Sequence, residues 1–123
     1  MTNHLNFNVY HPNCPSRLFF DNMADKWVLF ILDTLKVQAQ HFNSLKKAII
    51  GISPKVLSQK LKMLERDGFI DRKTLDTRPI KVEYSLTPLG KELAETAFQF
   101  KLWAESHMQY VLDAQRKYDE SSQ

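Results

Sequence analysis

The sequence predicts a mainly α domain carrying one small antiparallel β-hairpin. Three observations support this: apolar residues recur at helical spacing in the first half, the period shortens to two between residues 70 and 86, and helical spacing then returns. With 123 residues, 43% hydrophobic and 25% charged, the chain suits one globular domain and is short for two. The expected division is an N-terminal arm at 1–13, a single domain at 14–118 and a polar tail at 119–123.

The arm is polar, keeps no sustained period and contains Pro12. Pro15 then opens a short helical pattern holding Leu18, Phe19 and Met23. A stronger helix follows Asp25, in which Val28, Ile31, Leu32 and Leu35 recur at i, i+3, i+4 and i+7, widened by Trp27 and Phe30. Asn43 or Ser44 is placed to cap a third, short helix with Leu45, Ala48 and Ile49 facing inward and Gly51 ending it. Ser53-Pro54 starts the fourth: serine caps the orphan amides, and proline takes the first helical position, where its missing N–H costs nothing. Gly68 stops that helix. At ~100° per residue, Leu57, Leu61 and Leu64 fall within ~60° of one another, with Lys55, Ser58, Gln59, Lys62 and Arg66 on the opposite side.

After Gly68, Ile80, Val82, Tyr84 and Leu86 alternate with Lys81, Glu83 and Ser85, the pattern of a half-buried strand. Its expected partner is 70–75 across the polar turn Asp76-Thr77-Arg78-Pro79, so the hairpin carries Arg72, Lys73, Arg78 and Lys81. Thr87-Pro88 repeats the cap-plus-proline start. A long helix follows in which Leu89, Leu93, Ala97, Phe100, Ala104, Met108, Val111 and Tyr118 keep roughly helical spacing, with Phe98, Leu102 and Trp103 on a second flank.

The net charge of +3 is a weak argument for an anionic partner, but its distribution says more. Between Lys46 and Lys81 ten basic residues stand against four acidic ones, so this segment carries +6 and the remainder −3. Three short helices, the last with a basic outer face, then a basic hairpin and a long helix describe a winged helix-turn-helix with N- and C-terminal dimerisation helices. Lysine and arginine on one helix face offer donors to phosphates and guanine edges, and serine and glutamine offer groups to other base edges, in a groove wide enough for a helix. Any one of Lys55, Lys62 or Arg66 is explained by solvation of an exposed helix. The whole face together with the hairpin favours double-stranded DNA as the partner, with Ser53, Pro54, Lys55, Ser58, Gln59, Lys62, Arg66, Arg72, Lys73, Arg78 and Lys81 as the contacting set. The alternative is a winged helix used as a protein-interaction or dimerisation module that binds an acidic protein.

Other classes are excluded on composition. The longest apolar run, at 27–32, is far short of the ~20 residues that cross a bilayer, so a soluble cytoplasmic chain with no membrane partner is expected. Three glycines, Gly51, Gly68 and Gly90, make neither common phosphate-cradling loop. His4, His11 and Cys14 are ligand types that zinc accepts, but three candidates on an arm make a poor site, and no metal or cofactor is expected. No nucleophile signature surrounds Cys14, and no enzyme activity is expected.

The run Cys14-Pro15, Lys26-Trp27, His41-Phe42-Asn43-Ser44-Leu45, Gly51-Ile52-Ser53-Pro54-Lys55-Val56-Leu57-Ser58-Gln59-Lys60-Leu61, Leu64-Glu65-Arg66-Asp67-Gly68, Val82-Glu83-Tyr84-Ser85-Leu86-Thr87 and Gly90 resembles the HxlR-type transcriptional regulators, winged-helix proteins related to the MarR group. The resemblance covers residues 14 to about 105. It implies a homodimeric bacterial regulator on a palindromic operator, with 53–66 reading the major groove and 72–81 reaching the minor groove or backbone; repressor is the expected role, activator the alternative. The chain departs from the family at Ala24-Asp25, where Gly-Gly is usual, and at His41, where arginine is usual and would contact phosphate. Its hairpin turn keeps one proline, Pro79, in place of two.

The long last helix has more apolar width than a domain of this size needs. An isologous dimer through Leu18, Phe100, Trp103, Met108 and Val111 is therefore expected, the alternative being that the helix wraps its own domain. Trp27 and Trp103 read as packing residues. Cys14, the only thiol, stands beside Pro15 at a helix start with Arg17 nearby, and amide dipoles and a cation there lower a thiol pKa below ~8.5. It is the candidate redox sensor, a role some HxlR-type regulators give a cysteine at the matching position; a small packed or capping thiol is the alternative.

Overall fold

The computed structural model describes residues 6–122 and contains five helices and a three-stranded antiparallel sheet: α1 (Pro15–Met23), α2 (Lys26–Val37), β1 (Gln40–His41), α3 (Phe42–Ala48), α4 (Pro54–Arg66), β2 (Ile70–Leu75), β3 (Lys81–Leu86) and α5 (Pro88–Ser121). His4 lies outside the described residues. The mainly α architecture with a winged helix-turn-helix order is the one the periodicity predicts.

The core forms where the apolar stripes meet. Val28, Ile31, Leu32 and Leu35 of α2 are buried against Leu45, against Leu57, Leu61 and Leu64 of α4, and against Ile70. Asp25 caps α2 by accepting from the Trp27 amide at 2.8 Å, and Ser53 caps α4 by accepting from Val56 at 3.1 Å. Helix α4 ends in a Schellman arrangement, with Gly68 N–H donating to Glu65 O at 3.1 Å and Phe69 N–H to Leu64 O at 2.9 Å, and the φ of +84° at Gly68 explains that glycine.

Helix α3 differs from expectation. It begins at Phe42, with His41 as its N-cap and no side-chain capping bond, and neither Asn43 nor Ser44 caps it. The boundary is set by the sheet: Gln40 and His41 pair with Tyr84 and Glu83, which holds the residue before the helix extended. This strand was not legible, since two residues carry no period. It makes β3 the central strand of the order β1-β3-β2. The helix also ends at Ala48, which is exposed, while Ile49 just beyond it is buried, and the chain turns through Gly51 at φ +92°. Ile80, expected on the inner side of the hairpin, precedes β3 and is 71% exposed at the wing tip.

Helix α5 contacts the body through small residues together with Leu93, which packs half-buried against the core, and Phe98, whose ring lies 4.8 Å from the Lys36 ammonium of α2. Gly90, Ala94 and Ala97 are its buried positions, whereas Leu89, Phe100, Trp103 and Met108 from the expected apolar stripes stay exposed. At Gly90 an added Cβ would stand 1.9 Å from the Phe69 carbonyl oxygen, so only glycine lets the helix start sit on the α4–β2 corner. Thr87 locks the same corner: its hydroxyl donates to Gly68 O at 2.7 Å and accepts from Gly90 N–H at 3.0 Å. Residues 119–121, expected within the polar tail, continue the helix, and Ser121 and Ser122 hydroxyls bond back to Tyr118 O.

Candidate nucleic-acid interface

Buried leucines on one side of α4 fix which side faces out. Ser53, Pro54, Lys55, Gln59, Lys62 and Arg66 are exposed, and Ser58 is half-buried. Lys55, Gln59, Lys62 and Arg66 lie within ~60° around the helix and ~16 Å along it, a strip that a major groove of ~12 Å width accommodates at its amino-terminal end. The Ser53 hydroxyl is already engaged with Val56 N–H, so its first role is to shape the helix start.

The wing stands beside this strip. Phe42, Ser58, Leu61, Lys62, Glu65, Arg72 and Tyr84 line a shared cleft of about 410 Å³, which brings Arg72 of β2 next to Ser58 and Lys62 of α4. The hairpin register pairs Arg72 with Tyr84, Lys73 with Glu83 and Leu75 with Lys81. Because faces alternate along a strand, Arg72 shares the inner face with Thr74, Val82 and Tyr84, while Lys73 and Lys81 share the outer one. The four hairpin cations thus do not form one patch: Arg72 lies on the inner face, Lys73 and Lys81 on the outer one, and Arg78 in the exposed turn between the strands.

Ion pairing separates the cations further. Lys60, counted with the basic segment, is held by Asp25 at 2.5 Å and is a structural lysine tying α4 to the start of α2. The Asp25 carboxyl lies below its ordinary range: partial burial pushes it up, and the Lys60 hydrogen bond, the Trp27 amide and the Lys60 charge more than reverse this. By contrast Lys55, Lys62, Arg66, Arg72, Lys73, Arg78 and Lys81 make no ion pair within 4.0 Å among the described residues. His41, in the place of the family's arginine, turns its Nδ1 to Val82 O at 3.2 Å and so ties β1 to the wing.

The remaining candidates sit away from the strip. Leu18 is 65% exposed on α1, and Phe100, Trp103 and Met108 are exposed on α5, with Val111 half-buried. Among the described residues, every side-chain hydrogen bond and ion pair of α5 beyond Lys101 stays within the helix, whereas Lys101 itself pairs with Asp33 at 3.0 Å. Trp27 is half-buried against the core, while Trp103 stacks on His107 at 4.3 Å. Cys14 is the N-cap of α1 and half-exposed. Its thiol lies below the ordinary range, chiefly through the Ser16 hydroxyl at 3.0 Å and the Asn8 N–H at 3.2 Å, against an opposing effect of desolvation. The Arg17 guanidinium, expected to lower the thiol by its charge, instead donates to Tyr10 O at 2.7 Å, and Arg17 acts on the thiol through its backbone N–H alone. Among the described residues no group of three His, Cys, Asp or Glu is placed to hold a metal, and no helix is long and apolar enough to cross a membrane.

Comparison with known proteins agrees with this arrangement. The uncharacterised HTH-type transcriptional regulator YtfH of Escherichia coli K12 is 37% identical over 105 residues, covering 85% of this chain and 83% of its own. The putative transcriptional regulator ytfH from Salmonella typhimurium has a solved structure that superimposes with a TM-score of 0.84 at 36% identity, covering 91% and 99% of the two chains. The redox regulator HypR in its oxidised form superimposes with a TM-score of 0.69 at 32% identity, covering 76% of this chain and 96% of its own. Residues 22–111 match the HxlR-like helix-turn-helix family, so this chain belongs to that family of DNA-binding transcriptional regulators, which are not enzymes.

Proposed function

We propose that the chain acts in the cytoplasm as a homodimeric repressor that binds a palindromic operator, with one domain at 14–118 supplying both the DNA-reading and the dimerising surfaces. The observation that carries the reading is the strip of unpaired cations on α4 with the wing beside it, while Lys60 on the flank of the same helix is neutralised by Asp25. In this reading Lys55 and Gln59 enter the major groove, Ser58, Lys62 and Arg66 with Arg72 follow the adjoining backbone, and Lys73, Arg78 and Lys81 add phosphate contacts from the wing. Two copies joined through Leu18, Phe100, Trp103, Met108 and Val111 present two such strips to half-sites, and repression follows from occupancy of a promoter. Fluorescence anisotropy with DNA from upstream of the chain's own gene tests this. Nanomolar affinity with a steep salt slope, and a footprint with two-fold symmetry, are expected; equal affinity for scrambled DNA would refute sequence-specific binding.

Cys14 is the proposed point of redox control. Its lowered pKa favours the nucleophilic thiolate, and the likeness to a redox regulator supports the assignment. With one cysteine per chain, oxidation proceeds to a sulfenic acid, a mixed disulfide or a bridge between subunits. Operator binding by wild type and Cys14→Ser, each with and without diamide, decides the matter: oxidant should change affinity in wild type alone, and equal affinity in all four conditions would leave Cys14 a structural residue.

A further inference from the structure

Between α1 and α4 lies a cleft of about 570 Å³, a size within the ~300–1,000 Å³ of small-molecule sites. Its floor is apolar, made by Phe19, Met63 and Phe69, with Leu18, proposed above as a dimer contact, also lining it, and the Phe19 and Phe69 rings stand 5.7 Å apart. Its rim is charged. Lys62 and Arg66, one helical turn apart on α4, line it together with Asp67 at the helix end. Neither cation has an ion-pair partner within 4.0 Å among the described residues, Asp67 included, so the rim carries a net single positive charge above an apolar floor.

That combination selects an organic monoanion with a flat apolar body. The anionic group makes charge-assisted hydrogen bonds with two cations that otherwise have only water, and the body covers two phenylalanine rings. A neutral body would desolvate the cations without return, and a dianion would bring its second charge toward Asp67.

We propose that the α1/α4 cleft binds a small amphipathic organic monoanion, with its carboxylate on Lys62 and Arg66 and its apolar body against Phe19 and Phe69. Lys62 and Arg66 also belong to the proposed DNA strip, so an anion held there neutralises part of it and competes with DNA. This coupling rests on the DNA-binding reading above, whereas binding to the free protein does not.

The test titrates 2-naphthoate into the DNA-free full chain by calorimetry, with neutral 2-naphthamide as the comparison and the Lys62→Gln/Arg66→Gln double variant as the second protein. Saturable binding of one naphthoate per chain is expected, with the amide about tenfold weaker. The double variant should bind naphthoate no better than the amide while keeping the wild-type melting midpoint, since both side chains are exposed. Equal affinity for acid and amide, binding unaffected by the double substitution, or absence of saturable binding because a second copy fills the cleft would each overturn the site. In a second arm, saturating naphthoate should weaken operator binding by wild type about tenfold or more, as expected for losing more than one phosphate contact. Naphthoate binding with operator affinity unmoved would overturn the coupling. Naphthoate binding by a chain that shows no operator affinity at all would instead locate the failure in the DNA-binding reading.

Discussion

Gly90→Ala probes the corner that orients α5 against the wing. The added methyl would stand 1.9 Å from the Phe69 carbonyl oxygen and 2.9 Å from its carbon, where ordinary contact begins at 3.4 Å, so the two backbones must part by about 1.5 Å. Parting them strains two further bonds, Thr87 N–H to Phe69 O at 3.1 Å and the Thr87 hydroxyl to Gly68 O at 2.7 Å. Overpacking costs ~1–3 kcal/mol, and an obstacle that is backbone rather than a mobile side chain puts this site at the upper end. Helix propensity has the opposite sign, favouring alanine by ~1 kcal/mol, so the net expectation is a loss of about 2 kcal/mol. For a chain of this length that lowers the melting midpoint by roughly 6–10 °C, measurable by calorimetry or circular dichroism at fixed protein concentration and pH. A midpoint that is unchanged or raised would show that propensity wins, and that α5 does not rest on the Phe69 carbonyl.

Four further outcomes follow from the same geometry. Gln59→Ala should relax base preference, losing up to the ~1–3 kcal/mol of a bidentate base contact; an operator-to-scrambled ratio equal to wild type would remove Gln59 from the readout. Arg78→Ala should weaken binding to all sequences alike and reduce the salt slope by about one, so an unchanged slope would take Arg78 off the phosphates. Val111→Asp should cost several kcal/mol at a dimer interface and abolish operator binding, and a variant that still sediments as a dimer and binds DNA would move the interface elsewhere. Asp25→Ala should lose a helix cap worth ~1 kcal/mol, and the gap from wild type should be full at neutral pH. Because the Asp25 pKa is lowered in the folded state, that gap should close as pH falls from the unfolded value of ~3.9 through the lower folded one; a gap constant down to pH 2 would contradict the ion pair.

The helices and hairpin were legible because each is written in local spacing. Leu57, Leu61 and Leu64 specify the buried side of α4, and Ser53-Pro54 and Gly68 specify its ends, so the outward strip of Lys55, Gln59, Lys62 and Arg66 follows from sequence alone. What escaped depends on segments distant in the chain. Strand β1 exists because Gln40 and His41 find an edge of β3 some forty residues later, and that pairing, not Asn43 or Ser44, sets where α3 begins. Gly90 was visible as a glycine inside a helical pattern, against propensity, and that conflict was the one local sign of a close backbone approach. Its consequence is large: with Gly90, Ala94 and Ala97 as its buried residues, α5 lies close to the body, and Leu89, Phe100, Trp103 and Met108 are left exposed.

Charge was the signal most easily over-read. Ten basic residues between Lys46 and Lys81 count equally in a composition, but a cation can reach DNA only if no carboxylate in the fold holds it. Lys60 fails that condition because Asp25, thirty-five residues earlier, both caps α2 and accepts its ammonium, a device built at the Ala24-Asp25 departure from the family's usual Gly-Gly. Removing the carboxylate should therefore do more than weaken a cap. It frees Lys60, which lies about 100° around α4 from Gln59, the nearest residue of the strip, so the added charge acts only as a general field and should raise affinity for any duplex without raising the operator-to-scrambled ratio, because phosphate contacts carry no sequence information. An Asp25→Ala chain, measured below its lowered melting range, that gained specificity instead would mean Lys60 reaches base edges and that the boundary drawn here between structural and DNA-facing lysines is misplaced.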